Sequence, residues 1–534
     1  MDDGKKVINL DSVLESLGPY GRYNLLNFVL LLFPVLLSSF YECGFIFEAQ
    51  EQFYRCKVHG CDGRFNDTSW INYTIPTDSE RQRPETCRRY ASLNTTILQC
   101  SPDEFSTNQT VPCDSFVYEE GHSFVKEFDL GCKEWKRALV GTVHNSGMFA
   151  AMLVTGAISD RFGRKVAVGI ASCASFVFGI ARAFTQDYLT YLAMHFLEAG
   201  LGGGLYPSAY VLAVELVGLK QRVIVSAMCN MTFVVGVVLI ALLAWFVDNW
   251  RTYILILYSP AILVCIYVWF MNESARWLLS KGRREEAVKI IKSAAKMNNL
   301  DPRKLELDAL ADPLLKPEIQ TGDKKSQFSK AIRSSIIWKR LVICSFLWMT
   351  CSLVYYGLSI NSVSLSGNKY VSFMLVVLVE IPAYIVVVIV LDKYGRKKTL
   401  IVNYVTCAVT SLLFAFLPRS DWWSIALYLI GKWSVTLAYS SVYIYVSEVF
   451  PTNMRQTLIS FCSTAGRIGS LIAPLTPLLS AYHKSMPTVI FGVMCIISST
   501  LVLMLPETRN MRLPDTIEEA EELSRMKTRS VASS

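Results

Sequence analysis

The chain alternates between long apolar runs and short polar segments. A helix needs roughly 20 mostly apolar residues to cross a hydrocarbon core about 30 Å thick, and twelve runs of about this length follow one another along the sequence. The pattern predicts an all-α membrane protein with twelve transmembrane helices, which we call spans 1 to 12. Their predicted extents are 24–47, 138–158, 166–184, 189–212, 223–247, 252–271, 341–361, 370–391, 399–418, 422–446, 457–480 and 487–505.

Composition agrees with this interpretation. Of the 534 residues, 52% are hydrophobic and only 18% are charged, whereas about a quarter of a soluble protein is charged. The net charge of +8 does not indicate a nucleic-acid partner, because the basic residues lie between apolar runs and form no stripe on a folded domain. The lipid bilayer is the predicted surroundings, and the basic residues are expected to orient the chain in it.

The positive charges of the short loops predict that orientation. Most fall on one side, together with the basic segment from Lys281 to Arg340 between spans 6 and 7. That side is predicted to be cytoplasmic and to hold both termini, 1–23 and 506–534. Four acids precede the first apolar run, which is untypical of a secretory signal, so span 1 is expected to stay in the mature protein.

A polar linker, residues 272–340, is expected to tether two halves, residues 24–271 and 341–505. The stretch from Arg283 to Ile291 within it has apolar residues at helical spacing. This spacing predicts at least one short amphipathic helix lying against the membrane or the bundle.

A second polar segment, residues 48–137, separates spans 1 and 2 and falls on the outer side. Its six cysteines, an even number in an oxidising compartment, imply up to three disulfides whose connectivity stays open. Four Asn-x-Thr sequons are candidate glycosylation sites. Together these features predict an extracellular glycosylated loop. The cysteines are Cys56, Cys61, Cys87, Cys100, Cys113 and Cys132, and the sequons begin at Asn66, Asn72, Asn94 and Asn108.

Three landmarks repeat along the chain at nearly constant spacing. The motif from Asp160 to Lys165 after span 2 recurs after span 8, with an offset of 232 residues. The charged positions at the end of span 4 recur at the end of span 10 with an offset of 233 residues. The charged position at the end of span 6 recurs at the end of span 12 with an offset of 234 residues. One shared register indicates that a six-helix unit is duplicated. The paired positions are Asp160 with Asp392, Glu215 with Glu448, Arg222 with Arg455, and Glu273 with Glu507.

Six spans return the chain to the side on which it started, so the copies are parallel repeats. The predicted architecture is two six-helix bundles facing a cavity, with the substrate near the bilayer midplane. Charged helix ends beside glycine turns are candidates for a cytoplasmic gate that pairs across the bundles in one state. The alternative is static ion pairs that only fix topology. The gate candidates are Asp160, Arg161, Gly163, Arg164, Lys165, Glu215, Arg222, Glu273, Arg276, Asp392, Gly395, Arg396, Glu448 and Arg455.

The motifs resemble those of the major facilitator superfamily and, within it, the organic cation, anion and carnitine transporters. The resemblance covers almost the whole chain, and the cysteine-rich outer loop resembles the organic ion branch rather than the sugar porters. It implies a twelve-span fold and alternating-access transport of small organic ions across the plasma membrane. The elements that carry it are Gly156-Ala-Ile-Ser-Asp160-Arg-Phe-Gly-Arg-Lys165, Asn272-Glu-Ser-Ala-Arg-Trp277, Glu448-Val-Phe-Pro-Thr-Asn-Met-Arg455 and Leu505-Pro-Glu-Thr-Arg509.

Two ionisable positions inside spans bear on the substrate. Glu380 of span 8 resembles the acidic position of cation and carnitine carriers, and Arg467 of span 11 resembles carnitine and anion carriers. Ionisable side chains inside a span usually face the bundle interior, where Glu380 is expected to hold an ammonium and Arg467 a carboxylate. The two therefore favour a zwitterion such as carnitine, although they are also interpretable as neutralising each other or other core groups.

Aromatic and basic side chains of spans 7 and 10 are further candidates. Tyrosines offer π surfaces to a quaternary ammonium, and Tyr356 resembles a family cavity position. Lys432 is expected either to attract anions or to extend to the headgroups. Each of these tyrosines is expected either to face the cavity or to serve in helix packing or as an interfacial anchor. They are Tyr355, Tyr356, Tyr439, Tyr443 and Tyr445, of which Tyr356 and Tyr443 are predicted to bind substrate.

Span 4 departs from the family pattern. It places His195 where the superfamily usually has Arg, and it adds Glu198 on the same helix face. The pair is a candidate proton relay or a structural pair that replaces the missing Arg contact. The coupling ion, Na⁺ or H⁺, therefore stays open.

Other classes of function fit less well. We expect no enzyme, cofactor or metal, because the spans contain no Gly-x-Ser-x-Gly elbow or phosphate loop and the five histidines are dispersed. The alternatives kept are an organic anion or sugar-type facilitator and a receptor-like member without turnover. A fixed receptor has little use for paired switches in both halves, which favours a transporter.

Overall fold

The computed structural model describes residues 10–509 and 519 with gaps at 19–20, 63–68, 79–82, 94–99, 120, 219–220, 301–332, 366, 418–421, 452–453 and 481. The sequons at Asn66 and Asn94 lie outside the described residues, as do the chain ends 1–9 and, except for Glu519, 510–534.

Twelve membrane-spanning units follow the predicted order, which confirms the all-α fold class. Ten are long and apolar enough to be identified by those properties alone, and spans 4 and 10 complete the set. The helices are Arg22–Cys43 with Phe45–Glu48, Glu134–Phe162, Arg164–Arg182, Tyr188–Gly202 with Leu205–Glu215, Arg222–Phe246, Trp250–Tyr258 with Ala261–Tyr267, Ser335–Asn361, Lys369–Leu378 with Glu380–Tyr394, Arg396–Phe416, Trp422–Val449, Arg455–Ile472 with Thr476–Leu479, and Met486–Met504.

Local sequence explains two interruptions that matter for the interior. Pro382 has no backbone N–H, so the carbonyl of Leu378 loses its helical partner and span 8 breaks at Val379. Glu380 thereby becomes the first residue of the second helix. In span 4, a Cβ on Gly204 would overlap the side chain of Thr155, so span 2 approaches only because this residue is glycine.

The two halves use the same helix pairings. In the first half, span 1 packs on span 5, span 2 on span 4, and span 3 on span 6. In the second half, the equivalent pairs are span 7 on span 11, span 8 on span 10, and span 9 on span 12. One apolar core lies mainly in spans 1–6 and another in spans 7–12. This correspondence is the structural form of the sequence repeat.

The loop between spans 1 and 2 folds around three small antiparallel ribbons. Strand β1 (Tyr54–Cys56) pairs with β6 (Phe116–Tyr118), β2 (Thr77–Asp78) with β3 (Arg83–Pro84), and β4 (Arg88–Ser92) with β5 (Phe105–Pro112), with an irregularity between Tyr90 and Ala91. Helices Ile71–Thr74 and Phe124–Glu127 complete it. The six cysteines form the disulfides Cys56–Cys113, Cys61–Cys100 and Cys87–Cys132.

Within the described part of the linker, helices Ala275–Ser280 and Arg284–Met297 follow span 6. The second buries an apolar face against helix Leu10–Ser16. Asn298 then accepts a hydrogen bond of 2.8 Å from the backbone N–H of Tyr23. The amphipathic helix expected in the linker thus packs on the start of span 1.

We call the membrane face that carries the 48–137 loop the loop side and the opposite face the linker side. Several described contacts between the halves lie near the loop side. Phe47 packs on Tyr370 and Phe373, Trp245 stacks on Tyr370 with ring centroids 5.9 Å apart, and Gly141 lies against Pro474. These contacts close the central cavity toward the loop.

Candidate functional site

A cavity lies between the two halves at the middle of the spans. The first half contributes Glu42, Asn145 and Phe233 among others, and the second half contributes Tyr355 and Tyr356. Its wall is therefore mostly apolar and aromatic with a few polar groups, which is typical of a site for a small organic ligand.

Glu380 borders this cavity but is already paired. Lys432 Nζ lies 2.9 Å from Glu380 Oε1, and the hydroxyl of Tyr355 donates a hydrogen bond of 2.7 Å to the other carboxylate oxygen. Lys432 also donates to Ser359 Oγ at 2.7 Å. The structure contradicts one of the two interpretations of Lys432: its side chain is fully buried and does not extend to the headgroups, because Glu380 compensates its charge inside the bundle. The other interpretation, attraction of anions, stays a prediction.

An acid that sequence analysis did not single out, Glu42 of span 1, reaches the second half. The hydroxyl of Tyr356 donates a hydrogen bond of 2.8 Å to Glu42 Oε1. Arg467 is within electrostatic range of both of these side chains, and its guanidinium lies 3.9 Å from Met152 Sδ. Within the described part of the chain no carboxylate is in ion-pair distance of Arg467. A signal was present in the sequence, because Glu42 falls inside a predicted span.

The candidate tyrosines divide into three groups. Tyr355 meets Tyr356 edge to face at 5.2 Å and stacks on Tyr439 at 5.7 Å, which builds an aromatic wall on the cavity. Tyr443 packs edge to face on Trp348 at 4.7 Å and stays half exposed. Tyr445 serves in helix packing and does not face the cavity: it is fully buried and donates to the carbonyl of Pro506.

A second cluster of ionisable groups lies inside the first half. Arg182 of span 3 contacts His195 Nδ1, lies 3.1 Å from Glu48 Oε2 and lies 3.9 Å from Glu198 Oε2. His144 of span 2 stacks on His195 with ring centroids 4.9 Å apart. All five side chains are at most 2% exposed.

The fold therefore brings together groups that appear dispersed in the sequence. His144 and His195 are 51 residues apart along the chain but adjacent in space. His195 Nδ1 and Glu198 Oε2 are 3.7 Å apart, which is ion-pair distance but too long for a hydrogen bond. Arg182 of span 3 thus places its guanidinium beside His195.

The gate residues of the first half form one charged cluster on the linker side. Gly163 has φ +110°, and a Cβ there would overlap the Glu273 carboxylate. That carboxylate accepts hydrogen bonds from the backbone N–H groups of Arg164 and Lys165 at 3.0 and 3.2 Å, and so caps the start of span 3. Arg164 in turn lies 3.4 Å from Glu215.

The second half repeats this cluster position by position. Gly395 has φ +91°, and Glu507 accepts from the backbone N–H of Arg396 at 3.0 Å. Arg396 lies 3.1 Å from Glu448 and 3.8 Å from Asp392. The same atoms meet in both halves, so the repeat extends to individual hydrogen bonds.

The ion pairs of Arg164 and of Arg396 each join groups of one half. Asp160 lies 3.2 Å from Arg164, and Arg276 donates to the carbonyl of Val217 at 3.4 Å. Arg455 donates to the carbonyl of Phe450 at 3.4 Å, while Arg161 is exposed beside the ring of Phe162. The remaining candidate, Arg222, begins span 5.

Comparison with known proteins agrees with the fold and the motifs. A model of the Major Facilitator Superfamily matches residues 137–474 and 355–532. The organic cation transporter protein of Drosophila melanogaster is 30% identical over 96% of this chain and 94% of that protein. Solute carrier family 22 member 1 of Oryctolagus cuniculus is 31% identical over 97% and 96%, respectively. The inward-open structure of the xylose transporter XylE from E. coli has a TM-score of 0.62 at 15% identity, covering 94% of this chain and 100% of that chain, and shows the fold alone.

Proposed function

Because the chain belongs to the major facilitator superfamily, and within it to the organic cation, anion and carnitine transporters, we propose that it carries small organic zwitterions across the plasma membrane by alternating access. Carnitine, a related betaine or an amino acid derivative has the required chemistry, namely an ammonium and a carboxylate on one small molecule.

The balance of charge around the central cavity carries this proposal. Two acids, Glu42 and Glu380, and two bases, Lys432 and Arg467, lie in or near its wall. When all four are ionised their charges sum to zero. A substrate with a net charge would add an uncompensated buried charge, whereas a zwitterion would not.

The available groups assign the two ends of such a substrate. Glu380 is occupied by Lys432, so Glu42 is the acid that is free to exchange its Tyr356 hydrogen bond for an ammonium. The wall formed by Tyr355 and Tyr356 supplies π surfaces for the methyl groups of a quaternary ammonium. Arg467, without a carboxylate partner in the described chain, offers a two-pronged contact to the substrate carboxylate.

Orientation is part of the proposal. The 48–137 loop contains three disulfides, which favours an oxidising exterior, and Asn72 and Asn108 are exposed there as candidate glycosylation sites. The linker side would then face the cytoplasm with both termini. Contacts between the halves near the loop side represent the outward-closed state, and the gate clusters move as rigid parts of their own halves.

The test is uptake of radiolabelled carnitine and of tetraethylammonium by cells expressing the chain. Arg467→Ala and Glu42→Gln are compared with Arg88→Ala and Asp103→Asn, which change the same charges on exposed loop residues. Surface abundance is matched by biotinylation.

We expect the wild-type protein to take up carnitine. Uptake should fall about tenfold or more in both cavity variants, because each loses a charged contact, and should stay unchanged in both loop variants. Uptake of tetraethylammonium alone, insensitive to Arg467→Ala, would show a simple cation carrier. Absence of uptake of either compound would reject the proposed substrate class.

A further inference from the structure

The buried cluster of the first half has an unbalanced charge. Arg182 contributes one positive charge, whereas Glu48 and Glu198 contribute two negative charges when ionised. With both histidines neutral, the net charge is one negative. A buried excess charge is costly, so the cluster is stabilised by taking up one positive charge.

Several of its atoms also lack the partners that buried polar groups normally have. Both ring nitrogens of His144 and Nε2 of His195 are buried without a hydrogen bond within the described chain, and the carboxylate of Glu198 has no hydrogen-bond partner there except the hydroxyl of Tyr258. Such groups are uncommon in folded proteins. His144 Nδ1 and Glu198 Oε2 face each other at 4.0 Å, so one proton between them and a small approach would give both a partner.

The chemistry of the cluster favours a proton over a metal ion. Sodium prefers several oxygen ligands, but two of the three groups that converge here are imidazoles. A divalent metal would lie next to the guanidinium of Arg182, which already contacts His195 Nδ1. A proton needs no coordination shell, and histidine and a carboxylate can exchange it near neutral pH.

A small cavity beside this cluster shares one wall residue with the substrate site. His144 and Glu198 line it together with Glu42, and Glu42 also lines the central cavity. A substrate ammonium at Glu42 and a proton on the cluster are therefore close enough, in a buried environment, for their charges to interact strongly. The ionisable groups around Glu198 are Tyr41 and Glu48 of span 1, His144 of span 2, Arg182 of span 3, Tyr191 and His195 of span 4, and Tyr253 and Tyr258 of span 6.

We propose that His144 and Glu198 form a binding site for one proton, oriented by Arg182 and His195, and that its occupancy is linked to substrate movement through Glu42. The proton adds to the carboxylate of Glu198 from one side of the membrane, is shared with His144, and is released to the other side after the two halves have changed their relative orientation. The inference rests on the proposed transport function and names the coupling ion for it.

The experiment uses the full chain reconstituted in liposomes that contain a pH-sensitive dye. Radiolabelled carnitine is imposed as a gradient while dye signal and label are both recorded, and carnitine counterflow at equal pH on both sides reports substrate exchange that needs no net proton movement. The variants are His144→Gln and Glu198→Gln, with His59→Gln on the exposed loop as the matched control.

We expect the wild-type protein and His59→Gln to move protons with carnitine. Glu198→Gln removes the excess negative charge of the cluster, so this variant needs no proton to become neutral. It should keep carnitine counterflow, while the proton movement that accompanies carnitine falls about tenfold or more. His144→Gln should flatten the pH dependence of carnitine uptake. Carnitine transport without proton movement by the wild-type protein would overturn the proton site while leaving the proposed function standing. A requirement for Na⁺ would likewise overturn it, whereas absence of counterflow in every protein would reject the transport function itself.

Discussion

Lys432 Nζ lies 2.9 Å from Glu380 Oε1 and 3.3 Å from the ring centroid of Tyr355, and neither charged side chain is more than 3% exposed. Spans 8 and 10 thus share a neutral ion pair beside the central cavity. Removing either partner alone leaves a buried charge without compensation, whereas removing both does not. The pair is therefore a structural connection whose role can be separated from substrate binding.

Lys432→Gln should lower the free energy of unfolding by about 3 kcal/mol, because it leaves Glu380 buried and unpaired. Glu380→Gln should have a similar cost, while the double variant should recover most of the loss. The measurement is the unfolding midpoint of purified protein in detergent for all three variants. Additive effects of the two substitutions would show that the pair does not act as a unit.

Glycines at positive φ should differ in their tolerance of alanine. Gly395→Ala combines a φ of +91° with a contact of 2.9 Å to Glu507 and should destabilise by about 2 kcal/mol or more. Gly367 has φ +98° with open space around it, so Gly367→Ala should cost only about 1 kcal/mol. The unfolding midpoints of the purified variants in detergent measure which substitution destabilises the protein more.

Gly156→Ala is the control for this series, because the residue lies inside the helix of span 2 with nothing within 4 Å of a new Cβ. Alanine should be neutral or slightly stabilising there. If Gly395→Ala were as harmless as Gly156→Ala, the carboxylate of Glu507 would not be held as tightly against the turn as the geometry indicates.

The fold was predictable from the sequence because its main determinants are local. A bilayer fixes the length of each apolar run, and the duplicated charged motifs fix the register of the two halves. The breaks at Gly203 and at Val379 were not predicted. Pro382, which causes the second break, is visible in the sequence, whereas the close approach of Thr155 to Gly204 beside the first break is shown only by the fold.

The candidate site was predicted less completely, because pairing between distant spans cannot be read from spacing. Glu380 and Arg467 were placed in the interior, but the partner of Glu380 is Lys432 rather than Arg467. Glu42 and Arg182 also lie inside predicted spans, and the same rule on intramembrane charges would have selected them. Only the fold shows that they meet Tyr356 and His195.

Peptide mapping of the unreduced protein should recover three crosslinked pairs. The expected pairs are Cys56–Cys113, Cys61–Cys100 and Cys87–Cys132. Because these six cysteines are blocked by disulfides, alkylation of the unfolded but unreduced protein should label only the nine remaining cysteines. Prior reduction provides the control, since all cysteines should then be labelled. Any other pairing found under non-reducing conditions would contradict the strand register of β1 with β6 and β4 with β5.

The loop is attached to the bundle through Glu127, and this attachment should depend on pH. Trp250 Nε1 donates to Glu127 Oε2 at 2.7 Å, and Arg251 Nε donates to Oε1 at 3.0 Å. Partial burial alone would raise the pKa of Glu127, but the hydrogen bonds from Arg251 and Trp250 outweigh it and the pKa is lowered. Because the pKa is lower in the folded than in the unfolded protein, the ionised Glu127 stabilises the folded loop. This stabilisation is complete at pH values above the ordinary carboxyl pKa of about 4.3, and it is lost as the pH falls through the lower folded-state pKa.

Glu127→Gln should therefore loosen the loop at neutral pH in the way that acid loosens the wild-type loop. Since a partly exposed ion pair contributes about 1 kcal/mol, hydrogen exchange of the amides in 121–131 should speed up about fivefold. Glu286→Gln is the matched control, because it breaks an exposed pair with Arg283 on the linker helix and should leave these amides unchanged. If exchange in 121–131 responded equally to both variants, or if Glu127→Gln kept the acid response of the wild-type loop, the contact of Glu127 with Arg251 would not be what holds the loop on the bundle.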